Sequence, residues 1–140
     1  MSERNKEISR RTFEEIWNQG NMDAVDELLA GDFVSHSPPD GTRRPEDIKH
    51  DVNTMRSAFP DLHFTLEAQI AEGDRVATLW YARGTHQGKF EGIPPTGAQA
   101  TIQGITMDRL ASDKVVESWT NWDTVGLLQV LGAMPELAAA

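Results

Sequence analysis

The stretch WTNWDTVGLLQVL, which runs from Trp119 to Leu131, decides the fold of the C-terminal part of this chain. Its first half predicts a strand, because Trp119, Asn121 and Asp123 fall on one face under the two-residue period of extended backbone. After Asp123 the apolar residues follow the period of a helix. The members of this apolar stripe are Val125, Leu127, Leu128, Val130 and Leu131. The sequence therefore predicts one carboxylate at the point where a strand becomes a helix.

Asp123 at this junction has two interpretations, and they are compatible. A carboxylate flanked by two tryptophans is poorly solvated, and desolvation raises the pKa of an aspartate toward values that suit a general base. Aspartate is also a favoured N-cap, so the same side chain can simply cap the helix that follows. A capping residue can line a cavity as well, and the spacing alone does not separate the two roles.

Length and composition predict one domain that spans residues 1–140. The net charge of −9 argues against a nucleic-acid partner or an anionic membrane, because both require a basic surface. No apolar run approaches the ~18 residues of a membrane span, and the first residues contain no hydrophobic segment typical of a secretory signal. We therefore expect a cytoplasmic protein. The absence of cysteine excludes disulfides, thiol nucleophiles and cysteine-ligated zinc.

The N-terminal half predicts three amphipathic helices. The first covers residues 3 to 19, the second follows Asn21 as its cap, and the third begins at Pro45 and ends before Pro60. Phe33 and Val34 predict a short extended piece between the second and third helices.

The second half predicts four strands in sequence, at 62–70, 75–86, 99–110 and 114–122, with short turns except for a long connection at 87–98. Helices followed by an antiparallel meander indicate an α+β fold. A long twisted sheet with three helices on its concave side makes a cone, and the apolar residues of this chain would line its cavity. We expect Phe90 or Ile93 of the long connection to pack on another part of the protein.

A search for common catalytic motifs leaves acid–base chemistry. The sequence contains no glycine-rich phosphate loop and no GxSxG elbow. None of its four histidines is spaced as HxxxH or HxH, so we expect no metal site. His36, which follows a short strand, is either a polar group of a pocket or a loop histidine. His86 suits a structural role better than a catalytic one. The four tryptophans suit either a core or a cavity for a flat apolar molecule.

Three segments carry a resemblance to a known family: FEEIWNQGNMDAVDELLAGDFVSHSP near the N-terminus, GTHQGKFEGIPPTG at 84 to 97, and KVVESWTNWDTVGLLQVLG at 114 to 132. Together they resemble the SnoaL-like polyketide cyclases, from about Phe13 to Gly132. The resemblance implies the α+β cone of nuclear transport factor 2 and ketosteroid isomerase. It also implies ring closure by intramolecular aldol condensation without metal or cofactor. The central aspartate of the family matches Asp123, whereas the histidine of its penultimate strand has no counterpart in 99–110.

These observations give a specific hypothesis for the site. Asp123 would remove a proton next to a carbonyl group of a small hydrophobic, polyketide-like or aromatic molecule, and His36 and Asn121 would assist as polar groups. The candidate walls of the cavity are Trp17, Trp80, Trp119 and Leu127. We expect no metal, no cofactor, and a homodimer packed sheet to sheet.

Three alternatives remain open at this point. A binding module without chemistry, or a subunit-assembly domain, would use Asp123 only as an exposed or buried cap. An isomerase of the same fold would share the proton transfer. An epoxide hydrolase would need an Asp-Arg-Asp cluster in the cavity, and Arg83 and Arg109 are its candidate arginines.

Overall fold

A computed structural model describes residues 2–37 and 41–132 of the chain. The helices in these residues are α1 (Ser2–Arg11), which continues as a π-helical segment (Thr12–Asn18), α2 (Met22–Leu28), α3 (Pro45–Ala58) and α4 (Thr124–Val130). The strands are β1 (Leu29–His36), β2 (Thr42–Arg43), β3 (His63–Glu72), β4 (Arg75–Thr85), β5 (Gln99–Ala111) and β6 (Lys114–Trp122). Over the described residues, no helix combines the length and the apolar character needed to cross a membrane.

The six strands form one sheet in the order β2-β1-β6-β5-β4-β3. Four of the five pairings are antiparallel, and β1 runs parallel to β6. The mainly antiparallel sheet predicted from the alternating pattern is confirmed. The extended piece predicted at Phe33 and Val34 is part of an eight-residue strand, because pairing with β6 extends it in both directions.

The helices pack on one face of this sheet, as the α+β cone requires. Alternate residues of β5 from Ala100 to Leu110 are buried, and they define the concave face. Two apolar clusters cover it. One, around Val25, Val76 and Val115, lies under α1 and α2. The other, around Phe59, Trp80 and Leu127, lies between the end of α3 and α4.

The helix ends follow the capping rules, but the first helix differs from its prediction. The Asn21 side chain accepts hydrogen bonds from the N–H groups of Asp23 and Ala24, as expected of an N-cap. The helix predicted at 3 to 19 changes to π-helical geometry at Thr12. The pattern does not reveal this change, since Phe13 and Ile16 are buried and fit a single α-helical stripe equally well.

The long connection between β4 and β5 folds against α3. Its Gln87 and Gly88 N–H groups both donate to the carbonyl oxygen of Ala58 at 3.0 Å and so satisfy the last turn of α3. A Cβ on Gly88 would lie 2.2 Å from the Ser57 oxygen, so this close approach requires glycine. Phe90 is buried and its ring lies 5.8 Å from that of Phe59. The predicted packing of this loop is confirmed.

Candidate active site

A short chain of hydrogen bonds crosses the concave face at the level of Trp80. The Trp80 indole N–H donates to the Thr106 hydroxyl at 3.0 Å, and the hydroxyls of Thr106 and Thr120 also lie 3.0 Å apart. Trp80, Thr106 and Thr120 come from β4, β5 and β6. A Cβ on Gly104 would lie 2.3 Å from the Trp80 ring, so glycine lets the indole lie flat against β5. This series of hydrogen bonds places three adjacent polar groups on a face that is otherwise apolar.

Asp108 lies two residues after Thr106 on the same face of β5, and its side chain is buried. Its two carboxylate oxygens accept hydrogen bonds from the Ser9 and Ser118 hydroxyls, both at 2.8 Å. Burial raises the pKa of Asp108 to about 6, and the two serine bonds oppose this shift. Since Ser9 belongs to α1 and Ser118 to β6, this carboxylate ties the first helix to the sheet.

An apolar cavity of about 20 Å³ lies between α3, α4 and the ends of β4 and β5. Its lining residues are Met55, Phe59, Leu62, Ala82, Gly84, Ala100, Ile102 and Leu127. This volume suffices for about one water molecule and is far below the roughly 300–1,000 Å³ of small-molecule pockets. A wider hollow of about 350 Å³ lies near Asp26, Arg44 and Glu46, but it is open and its rim is charged. The apolar cavity is therefore the better candidate site for a hydrophobic ligand, although it must enlarge before it can hold one.

Asp123 is exposed and caps α4. Its Oδ1 accepts a hydrogen bond from the Gly126 N–H at 2.8 Å, and its carbonyl oxygen accepts one from the Leu127 N–H at 3.1 Å. This differs from the expected location inside an apolar cavity. Trp122, which pairs with Gly104, takes the last concave position of β6, and the Asp123 side chain turns to the free N–H groups of the helix. Asp123 nevertheless stands one helical turn from Leu127, which lines the cavity.

His36, Trp119 and Asn121 lie on the outer, convex face of the sheet, away from the cavity. The side chains of Ser118 and Thr120 point to the concave face, so those of Trp119 and Asn121 alternate to the other side. His36 pairs with Trp119 across the parallel β1–β6 ladder, and their rings stack at 5.6 Å. The cavity positions expected for these three residues are therefore not found.

The outer face holds its own ionic cluster at this end of the sheet. His36 Nε2 lies 2.9 Å from the Glu117 carboxylate, and Arg109 donates to the same carboxylate at 3.2 Å. The hydrogen bond from His36, supported by Arg109, lowers the pKa of Glu117. The Arg75 guanidinium lies 5.2 Å from the centre of the Trp119 ring. Neither candidate arginine of an epoxide hydrolase therefore lines the cavity, since Arg109 lies on the outer face and Arg83 is exposed.

The other predicted wall residues lie on the concave side. Trp80 is 3% exposed, and its ring packs against Phe13 and Phe64. Leu127 lines the cavity itself. Trp17 is half-buried and packs on Phe64 at 5.5 Å, further from the cavity.

Sequence reasoning missed the polar groups of the concave face, namely Ser9, Thr106, Asp108, Ser118 and Thr120. One signal was present. Thr106 and Asp108 occupy alternate positions between Ile102 and Leu110, so they interrupt a face that is otherwise apolar. Across residues 2–37 and 41–132, the side chains form no group of three or more His, Asp or Glu that could hold a metal ion.

Comparisons with known proteins agree with this architecture. The family model of the SnoaL-like polyketide cyclases matches residues 7–131. Nogalonic acid methyl ester cyclase of Streptomyces nogalater is 26% identical over an alignment of 128 residues, and the match covers 83% of this chain and 89% of the relative.

Two solved structures illustrate the structural similarity. AclR of Streptomyces galilaeus, described as a proposed hydroxylase, superposes with a TM-score of 0.87 at 28% identity, over 99% of this chain and 91% of its own. IdmH of Streptomyces antibioticus, described as a proposed polyketide cyclase, has a TM-score of 0.81 at 32% identity, over 91% and 98%. The helices on one face of a six-stranded sheet, together with these matches, show that the chain belongs to the SnoaL-like polyketide cyclase family.

Proposed function

We propose that this chain is a cyclase-type enzyme that acts on a small hydrophobic carbonyl compound by acid–base chemistry. The family match and the cyclase relative support an enzymatic function. The observation that carries the proposal is the position of Asp123: it caps the helix whose Leu127 forms one wall of the apolar cavity. A carboxylate and one apolar wall of the cavity thus lie one helical turn apart on the same helix.

The reaction would be an intramolecular aldol condensation or a related proton transfer. Asp123 removes a proton from the carbon next to a carbonyl group, and the resulting enolate carbon attacks a second carbonyl carbon of the same molecule. One carbon–carbon bond forms, and the new alkoxide takes the proton back from Asp123. The balance is complete without an electron acceptor, so the proposal includes no metal or cofactor. The bond from Gly126 fixes one carboxylate oxygen and leaves the other available.

Binding requires the cavity to enlarge. Its present volume of about 20 Å³ does not admit a ring system. The element that can move is α4, which has only seven residues. It packs on the sheet through Leu127 and through Leu131, the residue that follows it. Met55, a flexible side chain of the lining, can also adapt its shape. The substrate would then lie between α4 and the sheet, with its reacting carbon at the mouth near Asp123.

Polar assistance would come from Thr120 rather than from His36 or Asn121. Those two residues lie on the outer face, together with Trp119, and so do not contact a molecule in this cavity. Thr106 accepts a hydrogen bond from the Trp80 N–H and can donate its own O–H to the Thr120 hydroxyl oxygen. This leaves the Thr120 O–H free to donate to an enolate oxygen. Trp80 and Leu127 remain the proposed walls, with Trp17 behind them.

The test is turnover of nogalonic acid methyl ester, followed by chromatography for a product of equal mass and different retention. We expect ring closure by the wild-type protein and a loss of roughly 10²–10⁴-fold in rate for Asp123→Asn. Asp23→Asn, an exposed carboxylate at the start of α2, is the matched control. Thr120→Val should lower the rate, whereas Thr101→Val at an exposed position of β5 should not. An Asp123→Asn enzyme with full rate would contradict the acid–base role.

A second candidate function is ligand binding without chemistry. Two observations on the carboxylates favour it. Asp123 is exposed and caps α4, as expected of a binding module without chemistry. In the part of the chain that the structure describes, the buried carboxylate of the concave side is that of Asp108, and both its oxygens are occupied by serines. Saturable binding of the test compound with no conversion, in wild-type and Asp123→Asn proteins alike, would support this alternative.

We further propose that a second copy of the chain covers the outer face. Ile70 and Ile105 are 72% and 49% exposed there, next to the half-buried Leu79, Met107 and Trp119. The rim carries both arginine and glutamate, so two copies related by a twofold axis can place opposite charges together. A contiguous apolar patch of this kind is typical of a protein–protein interface.

A further inference from the structure

His86 is a buried histidine that the proposed reaction does not use. It follows the last residue of β4, and its side chain is fully buried. Its backbone N–H donates to the Ala98 oxygen at 2.9 Å, and its own oxygen accepts from the Gly97 N–H at 2.9 Å. The backbone of His86 is therefore paired with the C-terminal end of the loop at 87–98.

The hydrogen bonds on one side of the ring fix its tautomer. The Thr96 N–H donates to His86 Nδ1 at 3.2 Å, and the Thr96 hydroxyl lies 3.0 Å from the same nitrogen. A backbone N–H can only donate, so Nδ1 must accept, and a neutral ring then carries its proton on Nε2. Among the described residues, the buried Nε2 has no hydrogen-bond partner. The structure thus contains a buried N–H donor whose acceptor is missing, which is rare and costly in folded proteins.

The His86 ring lies next to residues that line the apolar cavity. Ala82 and Gly84 line the cavity, and His86, the first residue after β4, continues the same alternation of buried positions. The ring of Phe59, another lining residue, lies 5.4 Å from the imidazole. The lining itself is apolar. One donor at the edge of an apolar pocket is the arrangement that fixes the orientation of a small ligand.

We propose that His86 positions the ligand, by donating its Nε2–H to one oxygen atom of an otherwise apolar molecule held beside Phe59. This inference rests on the proposed function, because it assumes that the enlarged cavity is the ligand site. A neutral N–H donor selects an acceptor such as a carbonyl oxygen, and it does not select a cation. The substrate class is thereby narrowed to compounds whose deeply buried end carries a carbonyl or similar oxygen, with the reacting carbon nearer Asp123.

The test compares two probes that differ in one oxygen. The ketone 1-tetralone and the hydrocarbon tetralin share a bicyclic skeleton, and only 1-tetralone has an acceptor. With ¹⁵N-labelled histidine, we expect 1-tetralone to shift the ¹⁵N and proton signals of the His86 Nε2–H, and tetralin to leave them nearly unchanged. Methyl signals of Met55 and Leu127 should respond to both probes, because they report occupation of the cavity.

Variants give a second, independent readout. In His86→Phe the affinity ratio of 1-tetralone to tetralin should fall by about 3- to 10-fold, the range of one neutral hydrogen bond. His63→Phe, at an exposed position of β3, should leave the ratio unchanged. If His86→Phe does not fold, the wild-type signals decide alone. Binding of both probes without a shift at Nε2, or a Nε2–H that stays bonded to water, would overturn the role of His86 and leave the cavity site standing. No methyl response to either probe would overturn both proposals.

Discussion

The Asp123 carboxylate accepts the Gly126 N–H at 2.8 Å, so the candidate base is at the same time the N-cap of α4. The two roles predict different responses to substitution. Asp123→Asn should keep the free energy of unfolding close to wild type, because asparagine caps as well as aspartate. Asp123→Ala should lower it by about 1 kcal/mol. Urea denaturation of both variants measures the cap. An Asp123→Ala protein as stable as wild type would show that the capping bond contributes nothing in solution.

Gly126→Ala should disturb the same contact from the other side. A Cβ on Gly126 would lie 2.1 Å from Asp123 Oδ2, which no real structure tolerates, so the carboxylate must move. We expect a loss of turnover with little loss of helix, since alanine favours a helix more than glycine does. Circular dichroism and the rate assay together check this. Wild-type turnover in Gly126→Ala would mean that the position of the carboxylate does not matter for the reaction.

Asp108 should make the stability of the protein depend on pH. The pKa of Asp108 in the folded state is about 6, against an ordinary value of 3.8. The stability that Asp108 contributes to the folded protein is fully present below pH 3.8, where the folded and unfolded states are both protonated at this residue. It is lost as the pH rises through about 6, because the folded state must then bury a charge. The difference amounts to about 3 kcal/mol at ~1.4 kcal/mol per pKa unit.

Asp108→Asn should remove this dependence. The amide can accept from one serine and donate to the other, so the hydrogen bonds of Ser9 and Ser118 can be kept. We expect a flatter curve of unfolding free energy against pH between 4 and 7, measured with urea, and equal or greater stability at pH 7. Asp74→Asn, at an exposed turn, is the control and should keep the wild-type slope. An unchanged slope in Asp108→Asn would refute the buried-charge explanation.

Ile105→Lys should separate the proposed dimer. The side chain is 49% exposed at the centre of the outer face, and a lysine there would be buried unpaired between two copies. Sedimentation at micromolar concentration should show a dimer for wild type and a monomer for the variant. Val130→Lys, 45% exposed on α4, should remain dimeric. A monomeric wild-type protein at these concentrations would end the dimer proposal. A stable dimer would have to bury more than ~1,000 Å² between its two copies.

The sequence determined the features that depend on neighbours along the chain. Helical and strand periods gave the order of the elements, Asn21 and Asp123 were recognisable as caps, and the loop with Phe90 was recognisable as packed. The segments shared with the family extended this to the α+β cone. These properties are local, because a cap or a period involves residues within a few positions of each other.

Only the tertiary structure decided which face of β6 points to the helices. A two-residue period defines two faces but does not say which is inside. Opposite Arg109 and Leu110 the register shifts by one residue, so Val115 and Ser118 both face the core. The outer position of Trp119 and Asn121 follows from this shift. The alternation of β5 places Asp108 on the buried face, but its partner Ser9 lies 99 positions away in the chain, and a contact at that separation leaves no trace in local spacing.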